Sequence, residues 1–270
     1  MSSDELRKHK STLPRLIAIS HADNTRCRLT DASLVSILEG ARGMLNLLIL
    51  ELHENDMDKK GAEGLRALLT TDACTLEVLT LDHTDVDDDE CCLLMDSLCE
   101  NTTLKRLSLS HNLIGKGEAL NTCQPGLTTG PEAVAKMLTC NKTLQYLDLS
   151  WNSIMGQSAV ALAKALTSNS TLLELRLKQN SLNEDASQEM GRSLIDNKGL
   201  LVLDISYNQV TIRGAMIIAT ALRVNKTLRQ VILDGNSVGR LGEERRGRSE
   251  RRGLWREERS DEALRYLTPF

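Results

Sequence analysis

The side chains best able to do chemistry lie in a few short stretches. The densest is "DHTDVDDDE", Asp82 to Glu90, with six carboxylates in nine residues. A calcium loop needs oxygen ligands at such density, but it also needs a mid-loop glycine for the turn and a terminal glutamate to grip the ion, and this spacing supplies neither. Acids just ahead of a helix are favoured by its dipole without any metal. His83 and His111 fall at one place in neighbouring repeats, so their imidazoles should lie about 5 Å apart. Only Glu54 offers a third ligand, which leaves two exposed imidazoles rather than a metal pair. The seven cysteines, at 27, 74, 91, 92, 99, 123 and 140, contain no C-x-x-C pair. They read as buried apolar groups or free thiols, neither zinc ligands nor disulfides. No G-x-x-x-x-G-K-(S/T), G-x-S-x-G or H-E-x-x-H run occurs. No catalytic, cofactor-binding or metal-binding residue is assigned, and the chain reads as a non-enzyme.

What must position these groups is a repeat. The form L-x-L-x-x-N-x-(I/L/V) recurs as "LELHENDM", "LTLDHTDV", "LSLSHNLI", "LDLSWNSI", "LRLKQNSL", "DISYNQV" after Leu203, and "VILDGNSV". Its polar position is Asn55, Thr84, Asn112, Asn152, Asn180, Asn208 and Asn236, at intervals of 29, 28, 40, 28, 28 and 28 residues. The other half of each unit has helical spacing, as in "GQSAVALAKAL" from Gly156 and "GAMIIATALRVN" from Gly214. Strand–helix units in tandem stack into a right-handed α/β solenoid. Parallel strands line the concave face, helices the convex face, and the L-x-L leucines fill the space between.

The asparagine column reads as a structural ladder. An amide side chain both donates and accepts, so it can pair the backbone groups that the chain exposes on leaving each strand. Thr84 keeps only a hydroxyl, and its turn is expected to be the least well satisfied. A second column, Asn101, Asn141, Asn169, Asn197 and Asn225, includes four N-x-T sequons. Recurrence at one repeat position favours helix-ending residues in the left-handed region over glycosylation sites.

These boundaries divide the chain in three. Residues 45–238 form the repeat domain, seven repeats of about 28 residues, with an insertion at 116–130 that bulges from one rim. Residues 1–44 hold an atypical capping unit, with a helix after Thr30 and a strand half, "ADNT", that lacks leucines. Residues 239–270 are a tail dense in Arg and Glu, expected to be partly disordered; a partner-binding tail anchored on Trp255 is the alternative.

Composition narrows the function classes. The net charge is −4 with acids and bases interspersed, against a nucleic-acid partner. No apolar run approaches a membrane span, and "MSSDELRKHKSTLPRL" has no signal-peptide core, so a soluble cytoplasmic protein is expected. With one Phe, two Trp and three Tyr, the core must be aliphatic.

The 28-residue period, the "LxLxxNxI" strand and the "GxxxLAxAL" helix make residues 45 to 238 resemble leucine-rich repeats of the ribonuclease-inhibitor-like class, as in NOD-like receptors and Ran GTPase-activating proteins. The ribonuclease inhibitor engages its protein ligand with the concave face and rim, so the resemblance implies a protein partner and a scaffold or adaptor role. The expected binding residues are the outward ones: Glu51, Asp82, His111, Asp148, Trp151, Arg176, Lys178, Asp204, Tyr207 and Asp234. Trp151 stands at no leucine position, as an exposed hot spot should. The alternative is a small-GTPase regulator resembling Ran GTPase-activating proteins, although that family has more repeats and a strongly acidic tail. No nucleic-acid, membrane or small-molecule partner is expected, and the chain reads as a monomer.

Overall fold

A computed structural model of the protein describes residues 15–18, 31–42, 44, 46–120 and 128–238. Among these, eight parallel strands pair strictly in chain order. They are β1 (Arg15–Ala18), β2 (Leu47–Glu51), β3 (Val78–Thr80), β4 (Arg106–Ser108), β5 (Tyr146–Asp148), β6 (Glu174–Arg176), β7 (Val202–Asp204) and β8 (Gln230–Ile232). Between and beside them run α1 (Asp31–Arg42), α2 (Lys59–Leu69), α3 (Asp88–Glu100), the short α4 (Lys116–Ala119), α5 (Gly130–Cys140), α6 (Gly156–Ala165), α7 (Glu184–Asp196) and α8 (Ile212–Leu222). Neighbouring strands sit about 4.8 Å apart, whereas helices packed side by side need about 8–10 Å. That mismatch bends the stack, with strands on the inner face and helices on the outer. Crossovers of this kind are right-handed.

Equivalent leucines stand in register from coil to coil, Leu79 beside Leu107, Leu147, Leu175 and Leu203. In "LQYLDLSWN" the three leucines, Leu144, Leu147 and Leu149, are all buried in the one continuous core. Helix starts are marked by side-chain caps: Asp58 for α2, Asp87 with Glu90 for α3, and Thr129 with Glu132 for α5. In α3 the acids of "DHTDVDDDE" are thereby put to structural use. The Asp87 carboxylate accepts the Asp89 and Glu90 amides, and Glu90 accepts the Asp87 amide in return. Burial, and the hydrogen bond and charge of Asp87, push the Glu90 carboxyl up to about 7, while Asp87 is held below its usual range by its bond to Glu90.

The ladder runs between coils. Asn180 Oδ1 accepts from the Ile154 amide of the preceding coil at 3.0 Å, and its Nδ2 donates to Leu149 O at 2.9 Å and Leu177 O at 3.1 Å. Asn112, Asn152, Asn208 and Asn236 repeat the arrangement. At Thr84 the arrangement is poorer, as expected. The hydroxyl lies 2.8 Å from Leu81 O of its own coil and 3.2 Å from Asn112 Oδ1, and the Met57 amide donates to the Thr84 carbonyl at 2.8 Å. Backbone takes over the amide's acceptor role, while its donation to the preceding coil has no counterpart among the described residues. The second asparagine column is extended rather than left-handed: φ is −69° at Asn101 and Asn141 and −66° at Asn197. An extended residue turns its amide back across the coil boundary. Asn141 Nδ2 donates to Leu98 O at the end of α3, and its Oδ1 accepts from Thr143 and Leu144. The sequon nitrogens of Asn101, Asn141 and Asn169 are thus committed and buried.

Two further expectations change. The first strand is Arg15–Ala18, paired with β2, whereas "ADNT" lies outside the described residues. "RLIA" supplies the apolar residues that "ADNT" lacks. Cys99 and Cys140 are disulfide-bonded, not free. They end α3 and α5, helices of adjacent coils, and their Cα atoms are 5.4 Å apart, within bonding range. Cys74, Cys91 and Cys92 are free. Finally, Asp88 ties both ends of the insertion together: its carboxylate accepts from the amides of Gly115 at 2.7 Å, Gly117 at 3.2 Å and Gly130 at 3.0 Å. Residues 121–127 and the tail with Trp255 lie outside the described residues.

Candidate protein-binding face

Period two along each strand sends the residue between the core leucines to the inner surface. The register aligns Glu51, Thr80, Ser108, Asp148, Arg176, Asp204 and Ile232 in one row across β2 to β8. Where each strand ends, the chain turns through one residue in the left-handed region. Glu54, His83, His111, Trp151, Gln179 and Tyr207 take φ between 54° and 58°, and Gly235 takes 69°. Such values are uncommon outside glycine, and here every coil repeats them. The shared backbone geometry gives neighbouring side chains one orientation, which stacks them.

The outcome is a ring ladder along the strand-end rim. His83 and His111 stack with centroids 4.0 Å apart, and His111 and Trp151 at 4.9 Å. Trp151 packs on the preceding coil yet keeps 44% of its surface exposed. Further along, Tyr207 is 51% exposed and lies against Gly235, where an added Cβ would meet its ring at 2.7 Å. Lys178 Nζ stands 5.2 Å from the Tyr207 centroid. Burial, followed by the neighbouring His83, lowers the pKa of His111, and Ser110 Oγ lies 3.1 Å from its Nδ1. Among the described residues no group of three or more His, Cys, Asp or Glu is placed to hold a metal ion.

The acidic positions differ from one another in what they can offer. Asp148 is only 9% exposed; it accepts from the Ser150 amide at 2.8 Å and the Tyr146 hydroxyl at 3.2 Å. Asp82 accepts from Ser108 Oγ and the Ser110 amide and lies 3.9 Å from His53, and Asp204 accepts from the Ser206 amide. Glu51 is half-buried at the end of β2, and Asp234 is exposed. Arg176 pairs with Glu174 at 2.7 Å.

Spacing alone missed a further inner row, one step toward the strand starts: Val78, Arg106, Tyr146, Glu174 and Val202. Extending the alternation of 148 and 150 back to 146 reveals it. Here the Arg106 guanidinium lies 3.9 Å, and that of Arg176 5.4 Å, from the Tyr146 ring centroid. Burial, followed by the Asp148 charge, pushes the Tyr146 hydroxyl up to about 12.

Tandem strand–helix coils with leucine layers, paired asparagine ladders and a ridged inner face define a leucine-rich repeat solenoid. The family model described as Leucine Rich repeat matches residues 100–116 and 140–163. NACHT, LRR and PYD domains-containing protein 5 of Mus musculus is 33% identical over 153 residues, 50% of this chain and 13% of that protein. Ribonuclease inhibitor of Sus scrofa is 27% identical over 154 residues, 49% of this chain and 33% of that protein. A solved structure, the TLR13-ssRNA13 complex, aligns with a TM-score of 0.47 and 18% identity over 82% of this chain and 29% of that one. The fold is that of a leucine-rich repeat solenoid and the chain is similar to the ribonuclease-inhibitor-like class; its matches span no more than about a third of the length of these curated relatives. Leucine-rich repeat domains generally mediate protein–protein interaction, and relatives of this class are typically non-enzymatic. Among the described residues no helix is long and apolar enough to cross a membrane.

Proposed function

We propose that this protein is a non-enzymatic scaffold or adaptor that holds a partner protein on the concave face of its repeats. The observation that carries the reading is the ring ladder ending in Trp151. A large aromatic is kept exposed, stiffened by stacking on His111 and by a constrained backbone, so little side-chain entropy is lost when a partner covers it. Tyr207, Arg176 and Lys178 extend the contact, and the exposed Asp234 adds a steering charge at the far end. Asp148 and Asp204 act mainly as struts for the turns behind them.

The reading takes the chain to be a cytoplasmic monomer. The Cys99–Cys140 link weighs against that location, because disulfides persist in oxidising compartments. Affinity capture identifies a partner, and Trp151→Ala then tests the face. It should weaken binding by about 2 kcal/mol, about 30-fold, with the melting midpoint held. A partner bound equally well by the variant would refute the assignment.

A further inference from the structure

The strand-start side of the concave face carries a groove of about 330 Å³, lined by residues of five successive coils from Glu77 to Val202. Four steps of about 4.8 Å make it about 19 Å long, the span of about six extended residues. Its apolar end is formed by Leu173, which is exposed, and by the half-buried Leu201 and Val202. Toward its other end stands Tyr146, fixed by its hydroxyl on Asp148 and by the Arg106 guanidinium on its ring.

The charges in and beside the groove are unequal in what they have left to give. Glu77 is taken by Lys105 at 2.7 Å and Glu174 by Arg176 at 2.7 Å. Asp148 accepts two bonds and is buried. Arg106 and Lys178 have no carboxylate partner among the described residues; their cationic heads meet only tyrosine rings, Tyr146 and Tyr207. The groove therefore combines uncommitted positive charge with an apolar floor two to three strands away.

We infer that this groove docks an acidic–apolar peptide segment of the partner, a carboxylate on Arg106 and an apolar side chain on Leu173, Leu201 and Val202. The step from β4 to β6 or β7 is about 10–14 Å, so the two anchors stand about three to four extended residues apart. The guanidinium offers a forked pair of donors to the carboxylate, and its stacking on Tyr146 orients it beforehand. A basic segment meets the unpaired Arg106 guanidinium, and a wholly polar one leaves the leucines against water. The inference rests on the concave-face reading and narrows it to one edge of that face.

A phage-displayed library of random 12-residue peptides, selected against the full chain, supplies the probe. Enriched sequences should carry Asp or Glu three to four residues from Leu, Ile, Val or Phe, and a synthetic peptide of that consensus should bind. Arg106→Gln should weaken the peptide about tenfold, and Leu173→Ser should weaken it as well. Both positions are exposed, so both variants should melt with the wild type. Trp151→Ala, at the opposite end of β5, should leave the peptide unaffected. Enrichment of basic sequences, or of no acidic–apolar sequence, overturns the inference. A peptide lost on Trp151→Ala but held by Arg106→Gln overturns it while leaving the concave face as the binding surface. A peptide indifferent to all three substitutions overturns both.

Discussion

Asn180→Ala removes one rung of the ladder, and its cost follows from which neighbours keep a partner. The Leu149 carbonyl, which Asn180 Nδ2 reaches at 2.9 Å, is also reached by Asn152 at 3.1 Å; the Leu177 carbonyl keeps Asn208 at 2.8 Å. Neither acceptor is stranded. The Ile154 amide is different: it donates to Asn180 Oδ1 at 3.0 Å, and both residues are buried. An orphaned buried amide costs about 1–3 kcal/mol and each redundant bond about 0.5–1 kcal/mol, so the expected loss is about 3 kcal/mol. Asn183→Ala is the comparison. Spacing suggests an exposed turn at Asn183, but its side chain accepts from the Ala186 amide and caps α7, which makes it worth about 1 kcal/mol. Urea unfolding followed by circular dichroism measures both. The two-state slope should hold for each variant, because neighbouring coils share every interface. Equal midpoints for the two variants would refute the reasoning, since the ladder would then contribute no more than one helix cap.

Three other outcomes follow from the packing and charge. Leu149→Ala should cost about 2–5 kcal/mol in the same unfolding measurement, because its side chain is fully buried between sheet and helices; an unchanged midpoint would remove Leu149 from the core. Glu90, with its folded pKa raised from 4.5 to about 7, contributes stability that is fully present below pH 4.5 and lost as pH rises through about 7. Glu90→Gln should flatten that part of the stability–pH curve, and an unchanged slope would place the titration elsewhere. Alkylation under denaturing, non-reducing conditions should spare Cys99 and Cys140, read by peptide mass spectrometry, whereas labelling of both would show free thiols at the ends of α3 and α5.

The fold was legible because each coil repeats the same demands. Seven recurrences of L-x-L-x-x-N fix strand, turn and helix at once, and parallel in-register stacking is the arrangement that buries every leucine layer together. What escaped the sequence lies between coils or beyond the motif. Asn141 looks like a helix end in any single repeat; only the packed stack shows its amide reaching back to Leu98. Cys99 and Cys140 are 41 residues apart along the chain, and the insertion hides the fact that their helices are neighbours. Asp148 occupies an outward position by period, yet the Tyr146 hydroxyl and the turn amide at Ser150 draw it inward. Tyr146 itself was overlooked because the motif begins at Leu147 while the alternation begins earlier.

The central claim is that a partner protein is held by the exposed rings of the concave face. The most direct measurement is calorimetric titration of a captured partner into the wild type, Trp151→Ala and Trp255→Ala, all as full chains. Trp151→Ala should weaken binding about 30-fold at an unchanged melting midpoint while Trp255→Ala binds like the wild type. Wild-type affinity for Trp151→Ala with binding abolished in Trp255→Ala would place recognition in the Arg/Glu-rich tail and not on the concave face.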